Sequence, residues 1–200
     1  ILPAGDGSVQ LSYTQLTANM TIYGRFSFFN FNGSNNLLGV SSSSGTAADW
    51  AAIMPTPDSD FGTNCYRNCA QLTVIDVNAP YQTMYRFLYQ SLVYNNSQID
   101  NVDVSQISDF TQCFASTSAF NQSLSSWDMS SASNLGDMFS GASAFNQNLN
   151  IWGPALGGVT LFFSCFQNAT DYDQPMNSWD VSGAQTQGLN AMFRGASSFS

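Results

Sequence analysis

The chain of 200 residues carries thirteen acidic side chains, all Asp, against four basic ones, Arg25, Arg67, Arg86 and Arg194, for a net charge of −9. Glu, Lys and His are absent, and because Glu and Lys are the usual exposed residues of soluble helices, a helical bundle is excluded. Four dispersed Arg make no basic stripe to neutralise phosphates, and no apolar run approaches the ~18 residues that cross a bilayer, so neither nucleic acid nor a membrane span is expected.

Ser, Asn, Gln and Thr fill roughly three-eighths of the chain and favour turns, caps and side-chain bonds to the backbone. With an ordinary apolar share and 14% aromatic residues, this composition describes a folded, β-rich, loop-rich protein. The chain begins Ile1-Leu2-Pro3 rather than with an initiator Met, which fits a processed or partial chain.

Residues 1–60 read differently from the rest. Val9, Leu11 and Tyr13 alternate with Gln10, Ser12 and Thr14, the period of a half-buried strand. Further strands are expected from Met20 to Tyr23 and over the aromatic run Phe26 to Phe31, with a turn at Asn32-Gly33-Ser34-Asn35. The segment is a small β-subdomain or an irregular cap on the remainder of the chain.

From about residue 61 the sequence repeats. The clearest unit runs from Trp127 to Ile151, and its landmarks recur. One aromatic position holds Phe114, Phe139, Phe166 and Phe193, with steps of 25, 27 and 27 residues. A second holds Phe120, Phe145, Tyr172 and Phe199, and a third Trp127, Trp152 and Trp179. Leu124, Leu149 and Met176 share an apolar position, and in the weaker earlier coils Leu88 and Tyr66 stand where the landmark Phe belongs. A coil of this length cannot bury its own apolar face, so it must stack on its neighbours with equivalent side chains in ladders. The expectation is a β-rich solenoid of roughly five and a half coils over 61–200. Trp127, Trp152 and Trp179 are expected in one buried column.

The phrases FNQSLSSWDMS (120–130), MFSGASAFNQNLNIW (138–152), MNSWDVS (176–182) and MFRGASSF (192–199) carry a resemblance. Together they resemble the BspA-type leucine-rich-repeat surface proteins, also called the Mycoplasma-type surface-lipoprotein repeat. Coil 152–178 departs from the pattern, with Gly153-Pro154-Ala155 in place of Asp-x-Ser. The resemblance implies a leucine-rich-repeat-like solenoid in a secreted or surface-anchored protein, with roles in adhesion and partner contact. It transfers no catalytic residue.

The residues give the same answer on chemistry. Without His or Lys, no Ser-His, Cys-His or lysine nucleophile can be assembled. The close pairs Asp58/Asp60, Asp100/Asp103 and Asp171/Asp173 could serve as paired carboxylates or hold Ca²⁺, but turn Asp more often accept backbone amides. No enzyme, cofactor or metal site is expected. Asp103, Asp128 and Asp180, each followed two residues later by Ser, read as corner carboxylates bonding amides, and Asn121 and Asn146 as an internal Asn ladder. Sequons place candidate glycosylation at Asn32 and Asn168, then Asn19 and Asn95, while Asn121 lies in the ladder.

Cys113 and Cys165 share the ladder position that Met138 and Met192 fill elsewhere, two coils apart, too far to bridge. They are expected as buried thiols. Cys65 and Cys69, four residues apart, form a bridge if the segment turns tightly, or pack separately if it does not. The functional expectation is an extracellular structural or adhesive repeat protein whose partners are other protein chains. Because the sequence stops inside a coil, the expectation is either that the repeats continue beyond residue 200 or that another subunit covers this end, giving end-to-end self-association in a filament or surface assembly. The rival reading is a lectin-like module binding glycan on Tyr81, Tyr85 and Tyr89.

Overall fold

The structure is a computed structural model and describes residues 62–69, 71, 72, 75, 77 and 80–200. The strands expected over 1–60, with Asn19 and Asn32, lie outside the described residues.

The chain winds into superposed coils held by a fixed hydrogen-bond register. Tyr66, Leu88, Phe114, Phe139 and Phe166 each donate a backbone N–H to the residue preceding the equivalent position one coil on. The acceptors are Phe87, Cys113, Met138, Cys165 and Met192, at 2.8–2.9 Å. Donors two residues to either side repeat the pattern, as in Gln112 to Gly136 and Ser116 to Ser140. The amides between them turn back on their own coil: Cys113 donates to Phe110, Ala115 to Gln112 and Thr117 to Phe114.

Two residues per coil, four apart, adopt left-handed backbone. These are Asn64 and Asn68, Arg86 and Gln90, Gln112 and Ser116, Asp137 and Gly141, Ser164 and Asn168, and Ala191 and Gly195, with φ between 51° and 76°. Each pair brackets a Met-Phe-like landmark pair and folds the segment into consecutive tight turns.

This geometry overturns the expected β-rich, leucine-rich-repeat-like solenoid. Among the described residues the only β features are isolated parallel bridges joining Asp109 to Asn134 and Asn134 to Leu161. The only helices among them are short 3₁₀ segments, Ser97–Asn101 and Asn150–Gly158. The physical reason is in the bonds just described. A strand needs successive extended residues with N–H groups alternating between two neighbours. Here the alternate amides close local turns, and left-handed residues break the landmark segment of each coil.

The apolar residues point inward and stack. Phe114, Phe139, Phe166 and Phe193 form one column with ring centroids 5.4 Å apart. Phe120, Phe145, Tyr172 and Phe199 form a second at 5.7–6.0 Å. Trp127, Trp152 and Trp179 form a third at 6.3 and 6.4 Å. The first two of these Trp are buried and Trp179 is half-buried. Their indole N–H groups have a defined use: Nε1 donates to the carbonyl of Ile99, Leu124 and Leu149 respectively, at 3.0–3.1 Å, each in the preceding coil. Each Trp therefore fills the core and also ties two coils together.

Hydroxyls do the same outside. Ser133 and Thr160 donate to the carbonyls of Ser108 and Ser133, and Ser143, Thr170 and Ser197 to those of Ser118, Ser143 and Thr170. The departing coil is accommodated by the 3₁₀ helix Asn150–Gly158, where Gly153 packs so closely on the next coil that an added Cβ would lie 2.2 Å from the Ser178 carbonyl oxygen.

Trp152→Phe should therefore cost about 2–3 kcal/mol, because it strands a buried carbonyl as well as removing ring atoms, and Trp152→Ala about 3–5 kcal/mol, both read as urea-unfolding free energies. Ser116→Gly, at the position that Gly141 and Gly195 hold in other coils, should stabilise the chain by about 0.5–1 kcal/mol by relieving left-handed strain.

Candidate functional site

Since the landmark residues point inward, the left-handed positions and their neighbours build one lateral face of the stack. From coil to coil the first left-handed position reads Asn64, Arg86, Gln112, Asp137, Ser164 and Ala191. Most of these are side chains that prefer other backbone conformations, held here by the forward hydrogen bonds of the stack.

The cluster at one end of this face is built on fixed backbone. Tyr85 and Tyr89 accept, through their carbonyls, the amides of Asn64 and Asn68 at 2.9 and 2.8 Å. Over the half-buried Tyr rings lie two guanidinium groups. Arg67 sits 5.3 Å from the Tyr89 centroid, and Arg86 5.0 Å from that of Tyr85 and 5.8 Å from that of Tyr89. Such cation–π contacts hold the long side chains against the surface. Arg86 also donates from Nε to Gln112 Oε1 at 2.5 Å, tying two coils together. Burial is the larger influence on Asp137 and raises its carboxyl above the ordinary range, while the neighbouring Gln112 side chain lowers it. Further along, the Phe163 ring covers Gly136, where an added Cβ would lie 2.4 Å from it. Phe163 also lines an open hollow with Leu161, Ser164, Gly188 and Asn190.

Tyr81 does not belong to this surface. It is buried, packs edge-on against Phe87 with centroids 4.7 Å apart, and its hydroxyl pairs with that of Tyr66 at 3.0 Å. The glycan platform of three exposed tyrosines is thereby corrected: one ring is interior and the other two carry guanidinium groups. Sequence reading missed Arg67, Arg86 and Gln112, because none stands in a recognisable motif; the common signal is their shared phase in the repeat.

The other expected positions fall elsewhere. Asp103, Asp128 and Asp180 each accept the amide of the Ser two residues on, at 3.0 Å. The amide and hydroxyl of Ser130 hold the exposed Asp128 carboxyl below its ordinary range, and the hydroxyl and amide of Ser182 do so for Asp180. The Asn ladder bonds backbone groups as expected, and its Asn121 and Asn146 are half-buried rather than fully interior. Asn95, Asn121 and Asn146 accept, through Oδ1, the next coil's backbone amide (Asn121, Asn146, Asp173) at 2.9–3.0 Å and its Gln side-chain amide (Gln122, Gln147, Gln174) at 2.8–2.9 Å.

Of the described sequon positions, Asn95 and Asn168 are exposed. Asn95 is engaged in this ladder, and Asn168 lies against Gly195 of the next coil. Asp171 and Asp173 are exposed as well. Cys113 and Cys165 are buried thiols in the apolar core. Cys65 and Cys69 are also buried thiols, and no bridge joins them. Burial, with the neighbouring Cys69 adding to it, pushes the Cys65 thiol far up. Among the described residues no three potential metal ligands converge, and no helix is long and apolar enough to cross a membrane.

Residues 82–200 match the family described as "Mycoplasma protein of unknown function, DUF285". The chain belongs to this family. The match takes in every coil from Gln82 onward and leaves Arg67 and its coil outside. No curated protein and no solved structure matches the chain.

Because the folded chain holds the Asp137 proton more tightly than the unfolded one, the corresponding stability is present below the ordinary carboxyl range and is lost as pH rises through the raised value. Asp137→Asn should therefore raise the urea midpoint at neutral pH, and the gain over the parent should shrink as pH falls below the carboxyl range.

Proposed function

We propose that this chain is a non-catalytic, surface-exposed structural or adhesive repeat protein that contacts other protein chains through the sides of its stack. The observation that carries the reading is the division of labour between interior and sides. The aromatic columns are consumed inside, while much of the lateral surface is polar, with side-chain amides and hydroxyls in ladders. Such a surface, repeated at every coil, suits extended contact with a partner. The resemblance to BspA-type surface proteins, together with membership of the family of unknown function, supports an extracellular address. The absence of His, Lys and Glu from the whole sequence supports a protein that works by contact rather than by proton transfer or covalent catalysis.

Antibodies against residues 82–200 should label intact cells of the source organism without permeabilisation, and protease treatment of those cells should abolish the signal. Beads coated with the recombinant chain should bind host or sister cells, and that binding should survive removal of surface glycans. Labelling only after permeabilisation would rule out the surface address, and glycan-dependent bead binding would rule out the protein-contact reading.

A further inference from the structure

Half of the protein's cations, Arg67 and Arg86, crowd onto one tyrosine ring on adjacent coils, in a chain that otherwise carries thirteen Asp. An acidic protein has many ways to neutralise two arginines, yet among the described residues neither guanidinium has a carboxylate within ion-pair distance. Arg86 donates instead to a neutral side chain, Gln112. Arg67 is less satisfied still: its Nε is buried without a hydrogen-bond partner, and so is Oδ1 of Asn64, three residues earlier on the same coil. Buried donors and acceptors left unpaired are costly, and native structures hold few of them.

We propose that Arg67 and Arg86, braced by Tyr85 and Tyr89, form a binding site for an acidic polypeptide segment of a partner protein. The guanidinium groups supply the planar, charge-assisted donors that a carboxylate matches. The two orphan atoms are themselves sealed from solvent, so a partner meets the accessible parts of the half-buried guanidinium groups rather than these atoms. A flexible acidic segment can bring carboxylates to both guanidinium groups at once. A sugar would need bare aromatic faces to stack on, and here the guanidinium groups already lie against the rings. The site is pre-organised, because the Tyr backbone is part of the inter-coil ladder and the cation–π contacts hold the arginines in place.

This site rests on the reading of the chain as a partner-contacting protein, but it is tested in solution, independently of where the protein resides. A fluorescein-labelled peptide of repeated Asp-Gly should bind the full chain by fluorescence anisotropy, with affinity falling as salt is raised, while the Asn-Gly repeat should not bind. Arg67→Gln and Arg86→Gln should each weaken binding roughly tenfold, with the near-ultraviolet circular dichroism of the stacked rings unchanged. Absence of peptide binding, or unchanged binding in variants that keep that spectrum, would overturn the proposal. Oligogalacturonate binding at the same arginines with equal or higher affinity would overturn the peptide assignment in favour of an acidic glycan.

Discussion

The forward hydrogen bond from each landmark amide to the carbonyl just before the next landmark sets the register of every other contact in the stack. Once Phe114 is bonded to Met138 and Phe139 to Cys165, the rings at those positions must superpose, and so must every side chain a fixed number of residues away. The Trp column, the Asn–Gln ladder and the hydroxyl bonds to the previous coil are consequences of that one offset. The bond exists because the left-handed residues on either side aim alternate amides out of the coil and let the remaining ones close turns within it. Propagation is then one-dimensional: each coil is stable because its neighbour presents carbonyls and rings at the right places.

The ladders are legible in the sequence because they are made of large apolar residues, and a 25- to 27-residue recurrence of Phe and Trp has little meaning except stacking. The backbone between them is not legible. Left-handed turns announce themselves through Gly or Asn, but Arg86, Gln90, Gln112, Ser116, Ser164 and Ala191 share these positions with them, so the signal does not recur from coil to coil. High Ser, Thr and aromatic content therefore points to strands that the turns exclude. The indole bonds are hidden for a related reason: Trp127, Trp152 and Trp179 read as core residues, and only the folded chain shows their N–H groups reaching Ile99, Leu124 and Leu149 in the coil before.

The candidate site shows the same asymmetry. Tyr85 and Tyr89 stand out as aromatic and polar, but Tyr81, equally prominent in sequence, is drawn inside by its hydroxyl partner Tyr66 and by Phe87. In the sequence the arginines say only that they are too few to bind nucleic acid. Two of them become a cluster when the coil offset brings Arg67 over Tyr89, a neighbour 22 positions away in the chain. Repeat register thus creates local chemistry that neither composition nor linear motifs disclose.

The spacing of the columns carries a consequence for how the coils hold together. Coils related by translation alone would separate every equivalent ring pair by the same distance. Instead the Phe114 column advances by 5.4 Å per coil, the Phe120 column by 5.7–6.0 Å and the Trp column by 6.3–6.4 Å. The Phe114 column is therefore the tightest of the three, and it is the one whose backbone carries the forward hydrogen bonds. Away from that seam the rings stand further apart, and the Trp column depends on its indole N–H bonds as well as on ring contact to join one coil to the next.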